Sequence, residues 1–256
     1  MSNKDYVLDK ISSTKVSYWP WKHLIVENLI PKNLYNDILK EVELYKNVFE
    51  KKRTVKRGYT VEVNKSQNVY PVQPHLKEYY DILSDKDVEL AIKEKVNLKD
   101  YHHNNLSVDM WSSFDIQTSG FVYDVHPDVS PKIHTMVHYL AEEGDDVTLG
   151  TTLYSPEKDC IKKRYNYTGR RIKPFDTEKD YLKRAPYLPN TAIIFSPCRK
   201  KGFMSNHSMF NTSSKTKYRK TLQTFWLDKK VDWTGEVLSK KTANFITQDG
   251  KLKSYG

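Results

Sequence analysis

Tyr123-Asp-Val-His-Pro-Asp128 is the stretch on which the reading of this chain turns. His126 and Asp128 flank a single residue, and on extended backbone such positions point to the same side. An imidazole and a carboxylate then converge without help from the rest of the fold. Completed by a second, distant histidine, for which Ser205-Asn-His207 offers His207, they make a facial triad. That donor set suits non-haem Fe(II) and leaves coordination positions open. An isolated H-x-D is a weak signal, because His and Asp are both common in turns and on surfaces. Its surroundings must supply the weight.

Those surroundings are β-prone. Short runs separated by turn residues predict strands at 106–116, 121–126, 133–140, 147–154, 191–195, 204–208 and 218–227. A succession of this kind predicts a β-sandwich or barrel. Upstream, residues 23–27 predict a strand, and Pro31 followed by Leu34, Ile38 and Val42 predicts a helix. Further helices are expected at 76–83 and 88–96, the second preceded by Ser84 and Asp87 in capping-box spacing. Residues 51–73 read as polar linker, 155–189 as a long segment rich in Lys, Arg and Tyr, and the tail after Asp228 as polar and peripheral. Connections as long as 155–189 within a compact domain are usually functional, and this one is expected to border the site as a mobile lid.

Composition narrows the classes further. The chain of 256 residues carries 18 Tyr, 9 Phe and 5 Trp, bulky apolar surface that a disordered sequence would lack. Lys and Arg outnumber Asp and Glu by 42 to 32, a formal charge of +10 that favours an anionic partner such as nucleic acid, although the lysines are spread along the chain. Cys160 and Cys198 are the only cysteines, too few for a disulfide framework or a cysteine-rich zinc site, which fits a reducing, cytoplasmic setting. No apolar run approaches the roughly 20 residues of a membrane span, so no membrane partner is expected.

In chain order, the H-x-D is followed by a β run with Tyr139-Leu140, then Leu149-Gly-Thr-Thr-Leu-Tyr154, Pro189-Asn-Thr-Ala-Ile-Ile-Phe195, His207 and Tyr218-Arg-Lys-Thr221. This order resembles the 2-oxoglutarate/Fe(II)-dependent dioxygenases, specifically the prolyl-hydroxylase-like branch, over about residues 107–227. Residues 19–44 also look like the strand-helix entry of that branch. The resemblance implies a mainly β fold with flanking α-helices around a double-stranded β-helix (jelly-roll, cupin-like) core. A single domain is expected, with 1–105 as a mixed α/β support region, 106–227 as the catalytic core and 228–256 as a C-terminal extension.

Carried over residue by residue, the resemblance implies that His126, Asp128 and His207 bind Fe(II) and that Arg219 binds the far carboxylate of 2-oxoglutarate. A planar guanidinium meets a carboxylate through two charge-assisted hydrogen bonds. Thr221, two residues on and hence on the same strand face, would add a hydroxyl to that carboxylate, and Tyr139 falls where several family members place a co-substrate tyrosine. The implied co-substrates are 2-oxoglutarate and O2. Two departures stand out: the family's Gly-Gly turn is reduced to Leu149-Gly150, and the stretch from His207 to Arg219 is slightly long, with Asn211-Thr-Ser-Ser214 as a loop. Asp128 itself favours hydroxylation over halogenation, because halogenating relatives replace this carboxylate with a small residue. His134 and His138 lack an H-E-x-x-H and are read as structural or pocket-lining, and His102-His103 as surface residues.

The expected substrate is a prolyl residue in a protein or peptide, with a small-molecule or amino-acid hydroxylase next. A nucleic-acid oxidising enzyme follows, favoured by the net charge and by Tyr165 and Tyr167 among the basic residues 162–171. Outside this class stand a β-sandwich binding module and a cupin-like zinc protein.

Overall fold

Alternation of apolar residues organises the molecule into two antiparallel sheets with helices on one side. The computed structural model describes residues 1–51, 59–62, 73–97, 108–128, 132–160, 164–165, 171–172, 175–200, 202–211, 213, 215–228, 243–246 and 252–255. The helices are α1 (Asn3–Ser13), α2 (Lys32–Lys51), α3 (Pro74–Leu83) and α4 (Lys86–Val96). The strands before the triad histidine are β1 (His23–Glu27), β2 (Tyr59–Glu62), β3 (Val108–Thr118) and β4 (Phe121–His126). They continue as β5 (Lys132–Tyr139), β6 (Thr152–Leu153), β7 (Arg164–Tyr165), β8 (Arg171–Ile172) and β9 (Lys183–Arg184). The last are β10 (Thr191–Phe195), β11 (His207–Asn211), β12 (Tyr218–Asp228), β13 (Ala243–Ile246) and β14 (Leu252–Tyr255).

The larger sheet has the order β1-β10-β5-β12-β3-β2 and the smaller β4-β11-β6-β9, while β7-β8 and β13-β14 form separate pairs. From β3 to β6 and again from β9 to β12, successive strands alternate between the two sheets. The first crossing is made at Ser119-Gly120, where Gly120 has φ +84°, a conformation that costs glycine little and an L side chain much. The spine of the larger sheet is the full-length pairing of β12 with β3, from Tyr218 opposite Thr118 to Asp228 opposite Val108.

Period-two alternation gives the larger sheet two different faces. Its outer face presents Leu24, Val26, Met136, Ala192, Ile194, Leu222 and Trp226 to apolar residues of all four helices, among them Ile11, Ile38, Tyr79 and Ile92. Its inner face presents Val137, Tyr139, Ile193 and Phe195 to Leu149, Leu153, Ala185 and Tyr187, forming a second core between the sheets. Burial on both faces explains why β10, Thr191-Ala-Ile-Ile-Phe195, reads as a continuous run without alternation.

Several boundaries differ from expectation for local reasons. Residues 147–154 do not form one strand: Asp146 caps a short 3-10 turn at Val147–Leu149, and only Thr152–Leu153 pair. Ser84 does not cap α4; it ends α3, and Asp85 takes the cap by accepting from the Asp87 N–H. The strand expected at 204–208 begins at His207 and runs to Asn211. Helix α1, capped by a Ser2/Asp5 box, lies in a polar stretch and contributes Val7 and Ile11 to the outer core, and β2 falls within the polar stretch 51–73. His102 and His103 lie outside the described residues. No helix among the described residues is long and apolar enough to cross a membrane.

Candidate metal and co-substrate site

The end of β4 and the start of β11 lie side by side in the smaller sheet, and their register places His207 directly opposite His126. The two rings approach to 4.4 Å between centroids. Asp128 lies just beyond β4, buried to 4% exposure, with Oδ1 3.8 Å from His126 Nε2 and Oδ2 3.9 Å from His207 Nε2. One donor atom from each residue falls within 4.8 Å of the other two. Donors about 2.0–2.2 Å from a shared ion are at most about 4.4 Å apart, so small side-chain shifts gather all three around one metal.

The imidazoles are prepared for that role. His126 Nδ1–H donates to the Asp124 carbonyl at 2.9 Å and His207 Nδ1–H to the Ser205 carbonyl at 2.8 Å. A carbonyl accepts only from a protonated nitrogen, which fixes the tautomer and leaves each Nε2 lone pair facing Asp128. Desolvation lowers the pKa of His126 to about 3 and that of His207 in the same direction, so both rings are neutral near neutrality, as metal ligands must be. Asp128 is held ionised, well below the ordinary carboxylate range: burial opposes the charge, but Lys132 and the two histidines outweigh it. Lys132 donates to Asp128 Oδ1 and the Thr135 hydroxyl to Oδ2, each at 2.6 Å. Neither donor belongs to a motif, although Thr135 sits at an inward-facing position of β5.

Packing stabilises the ligand geometry. The Phe195 ring lies edge-on to His207 at 4.8 Å, and Trp21 lies edge-on to Phe195 at 5.1 Å. Trp21 Nε1–H donates to the Asn206 carbonyl at 3.3 Å. The Asn206 side chain donates to the Ser155 and Lys158 carbonyls at 2.8 Å each, tying residues 155–158 to the position before His207. The first residues of the long 155–189 segment are thus tied to Asn206, next to His207, whereas most of its basic stretch 162–171 lies outside the described residues.

Arg219, Thr221 and Tyr139 share the inner face of the larger sheet, with Thr221 directly opposite Tyr139. Arg219 is 1% exposed, and the adjacent Tyr139 and Tyr187 rings, 5.5 Å apart, lie 5.5 and 5.7 Å from its guanidinium. Its Nε–H donates to the Leu149 carbonyl and Nη1–H to Gln117 Oε1, each at 2.5 Å. Among the described residues no carboxylate forms an ion pair with it. Buried charges are normally paired; the Asp115 carboxylate acts on Arg219 without forming an ion pair, and the donors left over could hold an anionic ligand. Thr221 Oγ1 is buried and has no hydrogen-bond partner among the described residues. The Tyr139 hydroxyl donates to Thr151 Oγ1 and accepts from the Thr151 N–H, at 3.0 and 2.9 Å.

Gly150 explains the departure at the reduced glycine turn. A Cβ there would lie 1.6 Å from the Ala185 carbonyl oxygen, so only glycine lets the 147–151 segment lie against 185–187. That close approach places the Leu149 carbonyl under Arg219. Gln117, Leu149 and Tyr187 escape a reading by motif because each acts through strand register or packing. Inward alternation along β3 would have found Gln117.

No protein-family model and no curated protein matches the sequence. Solved structures do match in shape. A prolyl 4-hydroxylase structure from Phytophthora capsici is similar with a TM-score of 0.52 at 11% identity, over 90% of this chain and 68% of that one. HygX from Streptomyces hygroscopicus, with nickel and 2-oxoglutarate bound, gives 0.52 at 9% identity over 91% and 89%. The epimerase SnoN, in complex with Fe3+, alpha ketoglutarate and nogalamycin RO, gives 0.53 at 8% identity over 87% and 84%. The chain shares the fold of these proteins. The likeness extends over most of its length.

Proposed function

We propose that the chain is a 2-oxoglutarate- and Fe(II)-dependent oxygenase, with His126, Asp128 and His207 as iron ligands and Arg219, Thr221 and Tyr139 lining the co-substrate pocket. The observation that carries this reading is the buried guanidinium of Arg219, with no ion-paired carboxylate among the described residues, in the same inter-sheet space as a His-Asp-His triad. A metal site alone would leave that charge unexplained. A zinc protein or a binding module would need neither Arg219 nor the orphaned Thr221 hydroxyl. The order β10-β5-β12-β3 facing β4-β11-β6-β9 supports a double-stranded β-helix core over 106–227, within a single domain that 1–105 supports and 228–256 extends.

When bound, Fe(II) with 2-oxoglutarate and O2 supplies the oxidising chemistry, the co-substrate leaving as succinate and CO2. The chain contributes placement. Arg219 holds the far carboxylate of the co-substrate through donors that Leu149 and Gln117 leave free, and Thr221 donates to the same group. Tyr139 and Tyr187 wall the guanidinium from water, which strengthens its pairing. Residues 155–189 border the entrance as a lid.

Prolyl residues of a protein or peptide are the first substrate class, supported by the likeness to the Phytophthora capsici prolyl 4-hydroxylase. A small molecule is the second, favoured by the comparable likeness to SnoN with nogalamycin RO bound. Substrate-stimulated succinate formation, measured over proline-containing peptides, free amino acids and oligonucleotides, separates them. Stimulation by peptides alone supports the first reading, stimulation only by free small molecules replaces it, and stimulation only by oligonucleotides would reinstate the nucleic-acid reading that the +10 charge favours.

A further inference from the structure

Asp128 is gripped from outside the triad, and the grip is divided in a telling way. Lys132 donates to Oδ1 and Thr135 to Oδ2, each at 2.6 Å. Oδ1 is also the oxygen 3.8 Å from His126 Nε2, and Oδ2 the one 3.9 Å from His207 Nε2. An ionised carboxylate offers about four lone-pair sites. One on each oxygen is occupied, and one on each remains towards the imidazoles. Neither Lys132 nor Thr135 hydrogen-bonds an imidazole, so Lys132 does not sit where an ion would.

The two donors are themselves held. Lys132 pairs with Leu227 across β5 and β12, its side chain is 14% exposed, and its Nζ lies 3.7 Å over the Phe225 ring. Thr135 is 1% exposed and stands opposite both Phe225 and Phe195. A flexible surface lysine would contribute little to a neighbouring charge. A lysine packed on an aromatic face has its direction set before any ligand arrives.

We propose that Lys132 and Thr135 are positioning residues, a two-pronged clamp that fixes the plane of the Asp128 carboxylate so that a divalent cation binds without reorganising it. The proposal rests on the metal-centre reading above. It opposes a second physical effect of Lys132, the repulsion between its charge and the incoming ion, and asserts that orientation outweighs repulsion.

Cobalt(II) is the probe, added to the full chain under anaerobic conditions and followed by its visible ligand-field bands, with no turnover involved. Lys132→Met keeps the aliphatic stem over Phe225 and removes the donor; Thr135→Val keeps shape and removes the hydroxyl. Each is expected to weaken Co(II) binding by on the order of 10–100-fold and to alter the bands, as loss of partners behind metal ligands does. Lys132→Arg and Thr135→Ser should retain most of the affinity. Binding by Lys132→Met as tight as wild type, or tighter, overturns the clamp, the tighter result assigning Lys132 a purely repulsive role. Should Lys132→Met not fold, Thr135→Val against Thr135→Ser decides alone, since neither changes charge. Wild type that binds no Co(II) removes the metal centre itself, whereas wild type that binds and variants that bind equally remove only the clamp.

Discussion

Two kinds of buried histidine occupy the two sides of the larger sheet. His138, on the outer face, uses both nitrogens: Nε2–H donates to Asn190 Oδ1 at 3.1 Å, and Nδ1 accepts from the Tyr79 hydroxyl at 3.2 Å. Asn190 in turn bonds the backbone of Ile30 through both ends of its amide. His126 and His207 each use only Nδ1, and their Nε2 atoms converge on a carboxylate. Burial lowers the pKa on both sides. What separates them is hydrogen-bond satisfaction. Around His138 the outer face closes its hydrogen bonds and holds helices on the sheet; among the described residues the inner face leaves the Nε2 lone pairs of the two histidines, the remaining donors of Arg219 and the Thr221 hydroxyl without hydrogen-bond partners. Unsatisfied buried groups are destabilising, and those gathered on the inner face are the ones the proposed metal and co-substrate would satisfy.

Substitutions sharpen this contrast. The largest effect is expected for His126→Ala, which removes one of three ligands from a half-buried strand end: metal binding and 2-oxoglutarate turnover should fall below detection while circular dichroism stays native. Residual turnover at wild-type level would break the inner half of the comparison. Arg219→Ala should next weaken 2-oxoglutarate binding by on the order of 100-fold or more, from the loss of charge-assisted hydrogen bonds worth about 1.5–3 kcal/mol each. Calorimetric titration into the metal-loaded protein measures it, and an unchanged affinity would remove Arg219 from the site.

His138→Leu is the outer-face counterpart. It takes one hydrogen-bond partner each from the Tyr79 hydroxyl and Asn190 Oδ1 in the core, which should cost about 1–3 kcal/mol in denaturant unfolding and leave metal affinity unchanged. A loss of metal affinity would mean that the two faces are not independent. His138 and His23 also predict a pH dependence. Desolvation lowers both to about 4, below the ordinary value near 6.5 that the unfolded chain retains. Between those values the unfolded chain binds more protons, so stability is fully present above about pH 6.5 and declines as pH falls towards 4. Thermal unfolding from pH 7 to 4.5 should show that decline, with a shallower slope in His138→Leu. The smallest effect is expected for Thr221→Val, which deletes an unpartnered hydroxyl. Stability should be unchanged or slightly higher, while 2-oxoglutarate binding weakens several-fold. A clear destabilisation would show that the hydroxyl serves the fold.

The strands β1, β4 and β10 were legible to the residue because each is a β-prone run ended by a turn former, as at Asn28, Pro127 and Ser196. The candidate ligands were legible for a chemical reason, since His126-x-Asp128 needs only local spacing and His207 follows in chain order. Lys132, Thr135 and Gln117 were not, because their roles arise from strand register and from which face an alternating residue takes after two sheets have formed. The capping of α4 by Asp85 was missed because Ser84 and Asp87 satisfy the same spacing rule, and only the end of α3 decides between them. The 3-10 turn at Val147–Leu149 was hidden in β-prone residues that Gly150 and Ala185 force into close backbone contact instead of pairing.

The most direct test of a joint iron and 2-oxoglutarate site is an anaerobic titration of the purified chain with Fe(II) and then 2-oxoglutarate, read by visible absorption. A band that requires both additions, and is absent in His126→Ala and in Arg219→Ala at the same concentrations, is the predicted result. Stoichiometric zinc in the purified protein, with no band and no binding of 2-oxoglutarate, would contradict it.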